Sequence, residues 1–260
     1  MNNKIEDLFK ISPKYRSRQK RQGTMMDNDG RRMSPLARVV YEKAVIAYKK
    51  KHYEQAGNLF KMLLDKKIPS SVCAYFGAIC FMKLGQLSTA RTYFEKTIAL
   101  KKNYYHAMYA HIFLGYLAIK DNNLPEALEW LELPVKNDFE SPLPYSFMGY
   151  IMEKQKNYTL AQKYYKQSLA RDPENPSFKN NLAFTYLAAN ENLDEAETLI
   201  KQAVKKDSHN PAYLHSWGWF FFIKRKFKEA LKALSYAASF TKDYVIVRDL
   251  NIVKQKLKDS

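Results

Sequence analysis

Residues 157–165 read NYTLAQKYY, and three of these residues set the register of the whole chain. Ala161 is small, Tyr158 stands three before it, and Tyr165 stands four after it. The same triplet recurs as Tyr53/Ala56/Phe60, Leu87/Ala90/Phe94, Leu124/Ala127/Leu131, Leu193/Ala196/Ile200 and Phe227/Ala230/Leu234. The alanines lie 34, 37, 34, 35 and 34 residues apart. A second small residue precedes each alanine by twelve positions, thirteen in the fifth copy: Ala44, Ala78, Gly115, Gly149, Ala183 and Gly218. A fixed period of this length is the mark of stacked helix pairs, each of which buries its apolar face only against its neighbours. Small residues are needed where the two helices of a pair cross closely, because a larger side chain would push them apart.

Outward from that column, the chain is expected to be all-α. Helix pairs are predicted at 35–51 and 53–66, 70–84 and 87–100, 105–120 and 124–133, 142–155 and 158–171, 176–189 and 193–206, and 211–224 and 227–240. The repeats then span 35–69, 70–104, 105–141, 142–175, 176–210 and 211–242. Ser34-Pro35 opens the first helix with a capping serine and a proline at its first position. Ile246, Leu250, Val253 and Leu257 recur at helical spacing beyond the last pair, while Arg248, Asp249, Lys254, Gln255 and Lys256 fall largely on other faces. Residues 243–260 are therefore expected to form an amphipathic cap on the open end of the array. Two places break the pattern. The 37-residue interval inserts about three residues near Lys101–Tyr105. Pro134 removes a helical hydrogen bond and should end its helix near Leu133, making 134–141 a longer connection and a candidate bend.

Residues 1–34 differ from the rest. They are basic and carry little apolar content beyond Ile5, Leu8, Phe9 and Ile11. Such a segment buries too little surface to offset its ordering entropy, so disorder is expected, or docking of the short apolar cluster, including into the chain's own groove. The net charge of +17 attracts acidic partners of any class without choosing among them. Cys73 and Cys80 are seven apart on one helix, too far for a disulfide, and read as small buried apolar residues. There is no signal-peptide pattern, and the longest strongly apolar run, Trp217 to Ile223, is too short to span a bilayer, so a cytoplasmic location is expected. His52, His106, His111, His209 and His215 show no metal-ligand spacing, and there is neither a phosphate-binding glycine loop nor a nucleophile motif. No enzymatic activity, metal or cofactor is expected.

The stretches Gly85-Gln-Leu-Ser-Thr-Ala90, Asn157-Tyr-Thr-Leu-Ala161 and Asn192-Leu-Asp-Glu-Ala196 resemble the turn and second helix of a tetratricopeptide repeat. Asn210-Pro-Ala-Tyr-Leu-His-Ser-Trp-Gly-Trp219 resembles its first helix. The resemblance covers residues 35–242. It implies a right-handed superhelical solenoid whose first helices line a concave groove, and it implies protein or peptide binding rather than catalysis. In that geometry Val45, Ile79, Tyr116, Tyr150, Phe184 and Trp219 point into the groove. Tyr41, Tyr75, Ile112, Ser146, Asn180 and His215 lie one turn earlier. Lys49, Lys83, Lys120 and Lys154 lie one turn later, as a rim.

The expected binding site is thus an aromatic strip of Tyr41, Tyr75, Tyr116, Tyr150, Phe184 and Trp219 with Asn180 and His215, edged by the four lysines. Aromatic anchors suit peptide capture. The lysines would pair with carboxylates on a partner carrying apolar and acidic residues. Asn180 is placed to hydrogen-bond a ligand's main chain. Family members that clamp acidic chaperone C-termini carry lysine and asparagine where this chain has Tyr41 and Val45, so heat-shock-protein binding is not expected. The favoured function is a scaffold or chaperone-like adaptor. The alternatives are a structural subunit of a larger assembly, such as a motility or secretion apparatus, and RNA binding through the basic surface.

Overall fold

The computed structural model describes residues 34–66, 70–101 and 103–258. The basic segment 1–34 lies, apart from Ser34, outside the described residues. Thirteen α-helices form among the described residues: α1 (Pro35–Lys49), α2 (Tyr53–Asp65), α3 (Ser71–Lys83), α4 (Leu87–Ala99), α5 (Tyr104–Lys120), α6 (Leu124–Lys136), α7 (Leu143–Lys154), α8 (Tyr158–Arg171), α9 (Pro176–Ala189), α10 (Leu193–Lys206), α11 (Pro211–Ile223), α12 (Phe227–Ser239) and α13 (Tyr244–Lys258). The fold is an all-α array of antiparallel helix pairs. It divides between Phe139 and Glu140 into two compact units. The amino-terminal unit contains α1–α6 and the carboxy-terminal unit α7–α13.

The helix starts follow local chemistry. The Ser34 hydroxyl accepts the Ala37 N–H at 3.2 Å ahead of Pro35. Asn103, Asn123, Asn157, Asn175 and Asn210 cap their helices with side-chain carbonyls in the same way. Within each pair the chain reverses through a residue in the left-handed region. These are Lys51 (φ 62°), Gly85 (φ 75°), Asn122 (φ 57°), Lys156 (φ 60°), Asn190 (φ 55°) and Arg225 (φ 59°). The reversal is closed by two backbone bonds, such as Lys156 N–H to Glu153 O and Asn157 N–H to Met152 O, both 2.9 Å.

All six column alanines and their partners at +4 are buried. The glycines report the closeness of the crossings. A Cβ on Gly115 would meet Leu131 Cγ at 2.7 Å, one on Gly149 would meet Tyr165 Cδ1 at 2.7 Å, and one on Gly218 would meet Leu234 Cγ at 2.6 Å. Each clash is with the large residue four after the column alanine, so the two small-residue columns and the large one form a single packing rule. Cys73 and Cys80 are free and buried, and burial pushes both thiols up to about 12.

The helix around Pro134 differs from expectation. It does not end at Leu133 but runs to Lys136, with Pro134 inside its last turn. The proline deprives the Trp130 carbonyl of its helical donor. The side chain of His111, on α5, faces that stretch of backbone, with its ring 5.5 Å from the Trp130 ring. Phe139 N–H closes the end by donating to Pro134 O at 2.9 Å. At the 37-residue interval α5 is 17 residues long, the longest of the first helices, so much of the insertion becomes helix rather than loop.

Candidate functional site

The first helices of the carboxy-terminal unit, α7, α9 and α11, pack side by side, and α13 joins them. They carry one polar residue each at spacings of 34, 35 and 34: Ser146, Asn180, His215 and Asp249. All four are buried. His215 Nε2 donates to Asp249 Oδ2 at 2.9 Å, and Arg248 donates to Asp249 Oδ1 through Nε at 2.8 Å and Nη2 at 2.7 Å. Burial opposes the Asp249 charge, but the bonds from His215 and Arg248 outweigh it and hold the carboxyl below its ordinary value. Asn180 is 6% exposed, and its Oδ1 has no hydrogen-bond partner among the described residues. A buried amide oxygen left without a donor costs about 1–3 kcal/mol, so this atom is a standing acceptor.

One turn further along the same helices stand Tyr150, Phe184 and Trp219, all half-buried. Phe184 lies 5.6 Å from His215, and Trp219 stacks on Phe222 at 4.7 Å. Lys154 is exposed, with Nζ 5.3 Å from the centre of the Tyr150 ring. Below this face, Glu153 accepts hydrogen bonds from Tyr165 Oη at 3.2 Å and Thr185 Oγ1 at 3.3 Å. Burial raises the Glu153 carboxyl above its ordinary value despite those bonds.

The expected strip does not extend evenly through the chain. In the amino-terminal unit Tyr41 packs edge-on against Phe60 at 6.2 Å. Tyr75 is 2% exposed, stacked on His106 at 4.8 Å. Tyr116 is 4% exposed. These three rings are interior groups here and present no open aromatic surface. His215 and Asn180 are buried too, His215 because Asp249 engages it. Lys49 and Lys120 are exposed and Lys83 half-buried; these three belong to the amino-terminal unit and Lys154 to the other. The sequence pattern sets Asp249 among the polar residues of the capping helix, yet it is buried. Its 34-residue spacing from His215 was the available signal, hidden because a carboxylate is not expected at a buried position. Among the described residues no group of three or more His, Cys, Asp or Glu side chains could hold a metal ion, and no helix is long and apolar enough to cross a membrane.

Models of the tetratricopeptide repeat match residues 78–138 and 153–216. No curated protein matches the sequence. Among solved structures, one from the APC/C Cut9–Hcn1 hetero-tetramer superposes with a TM-score of 0.70 at 14% identity, covering 84% of this chain but only 42% of that one. Pseudomonas aeruginosa PilF gives 0.66 at 13% identity, covering 83% of this chain and 96% of PilF. PilW, a type IV pilus biogenesis factor, gives 0.66 at 17% identity, covering 84% of this chain and all of PilW. At these identities the likeness is one of fold. Repeat period, helix pairing, small-residue crossings and the two matched segments agree, and the chain is a tetratricopeptide repeat protein.

Proposed function

We propose that the protein is an interaction scaffold whose carboxy-terminal unit holds an extended partner segment along α7, α9 and α11. The observation that carries the reading is Asn180 Oδ1, a buried acceptor lacking a donor, one turn from the half-buried rings Tyr150, Phe184 and Trp219. A main-chain N–H would satisfy the oxygen, apolar side chains would cover the rings, and an acidic residue would meet Lys154. The aromatic anchors supply burial at low cost in side-chain entropy. The role needs no catalysis, in keeping with a fold that generally serves as a scaffold. Free buried cysteines accord with a reducing compartment such as the cytoplasm.

A second reading, as a subunit of a secretion or motility assembly, draws on the similarity of fold to the pilus biogenesis factors. Affinity purification of the full chain, beside a Tyr150→Ala/Phe184→Ala/Trp219→Ala variant and Asn180→Ala, separates the two. Loss of the partner from both variants, with the fold intact by circular dichroism, supports the groove. Stoichiometric recovery of the same partners with every variant refutes it and favours the assembly role.

A further inference from the structure

We propose a second binding surface in the carboxy-terminal unit, on the edge formed by the loops between repeats, which takes an acidic peptide segment bearing an aromatic or aliphatic anchor. Its polar half is a cleft of about 420 Å³ lined by Glu174, Pro176, Lys179, Gln202, Lys205 and Lys206. It lies between the first turn of α9 and the last turns of α10, which antiparallel pairing brings together. Lys205 and Lys206 are exposed and have no ion-pair partner among the described residues. Lys179 is largely enclosed, with a side chain 13% exposed, and its Nζ sits 3.5 Å from Glu174 Oε2. The Glu174 side chain is itself 91% exposed. That carboxylate is a tethered example of the group the cleft accepts, held loosely enough for an incoming one to replace it.

The apolar half begins three residues beyond Lys206. His209 meets Phe240 edge-to-face at 5.4 Å and 89°, and Tyr236 meets Phe240 at 4.9 Å and 76°. Tyr236 and Phe240 are each 44% exposed, unlike the buried rings that fill the repeat crossings. Three residues of chain span at most about 11 Å, which sets the cluster next to the lysines. Lys232, one turn before Tyr236, and Lys242, two residues after Phe240, extend the positive border.

The rings decide the ligand class. Their interplanar angles of 89°, 76° and, between His209 and Tyr236, 57° leave no parallel pair to sandwich a nucleobase, as single-stranded RNA binding favours. Tyr236 and Phe240 offer exposed apolar ring surface for a partner's anchor, beside lysines that complement its carboxylates. Charge on the lysines then sets encounter and register, while the anchor supplies desolvation.

The test uses the full chain and a fluorescein-labelled octapeptide of glutamates with one central phenylalanine, read by anisotropy. Saturable binding is expected. Lys205→Glu with Lys206→Glu should weaken it about tenfold or more, and Phe240→Ser should weaken it several-fold. Glu174→Gln, which removes the internal competitor, should tighten it. In the Tyr150→Ala/Phe184→Ala/Trp219→Ala background, which removes the groove's own anchors for such a peptide, the binding that depends on Lys205 and Lys206 should persist, so this surface stands or falls independently of the groove. The proposal is overturned if the peptide does not bind or if the lysine reversals leave affinity unchanged. It also falls if the groove variant abolishes binding, or if an unlabelled oligouridylate of equal charge competes as well as unlabelled peptide.

Discussion

Gly149 and Tyr165 meet so closely that a Cβ on the glycine would lie 2.7 Å from Cδ1 and 2.8 Å from Cε1 of the ring. The ring is fully buried and its hydroxyl is tied to Glu153, so it has no room to retreat. Gly149→Ala should destabilise the carboxy-terminal unit. Overpacking costs about 1–3 kcal/mol, against which alanine's better helix propensity returns about 1 kcal/mol. Gly218→Ala, facing Leu234, should behave alike. Urea unfolding followed by Trp217 and Trp219 fluorescence measures both. A rise in midpoint for either would contradict the crossing rule.

The left-handed turn positions make the opposite forecast. Lys156 and Arg225 hold φ near 60°, where a side chain costs about 1–2 kcal/mol and glycine costs little. After glycine's larger unfolded-state entropy is set against this, Lys156→Gly and Arg225→Gly should be neutral or stabilising by up to about 1 kcal/mol. Gly85→Ala, at φ 75° with nothing within 4 Å of its Cβ, should lose stability through backbone strain alone. Thermal midpoints of the three variants test the set.

His111 and Pro134 should be coupled although they never touch through a shared bond. His111 lies against the Trp130 backbone, whose carbonyl Pro134 leaves without a helical donor, so its imidazole is placed to replace that donor. His111→Ala should destabilise the amino-terminal unit by about 1 kcal/mol or somewhat more. In a Pro134→Ala background, where the helix supplies its own N–H, the cost should shrink. A double-mutant cycle in urea, read by Trp130, gives the coupling, and an additive result would show that the imidazole does not replace the lost donor.

Acid should weaken the two units through different groups. Burial pushes His106 down to about 4. Between the ordinary histidine value and 4, the unfolded chain binds more protons than the native one, so stability in the amino-terminal unit falls as pH drops through that window, by about one proton per unfolding event. Asp249 is also lowered, so its contribution, present above the ordinary aspartate value, is lost as pH falls from there towards its folded value. Glu153 is raised, so its native carboxyl holds a proton longer than the unfolded one, and stability rises as pH falls through that interval. Asp249→Asn should flatten the acid limb of the carboxy-terminal unit, and Glu153→Gln should steepen it. Denaturant midpoints between pH 3 and 7 decide the signs.

The helix pairing was legible because one packing rule repeats six times, and Ala161 with Tyr165 states it in five residues. The outcome at Pro134 was not, because the group that faces the orphaned carbonyl, His111, lies more than twenty residues away on another helix. The aromatic strip was only partly legible. Periodicity places Tyr75 and Trp219 on equivalent rows, but whether a ring meets a neighbour or solvent depends on what fills the next repeat. His106 lies against Tyr75, whereas Trp219 is left half open. The burial of Asp249 is hidden for a related reason: spacing ties it to His215, while its charge argues for the surface, and only the bonds from His215 and Arg248 reconcile the two.

Three residues after Asp249 stands Ile252, just as Gly218 stands three after His215. Ile252 therefore occupies the next place in the small-residue column, and it is 36% exposed. At Gly218 even a single added carbon would strike Leu234, so a branched four-carbon side chain leaves no seat for a second helix against α13 at that spacing. Arg248, Asn251 and Gln255, exposed along the same helix, reinforce the refusal. In the language of polymer growth, the column that propagates the repeats also encodes their chain stop. Any segment or protein that meets α13 must do so with a geometry other than the one by which the array elongates.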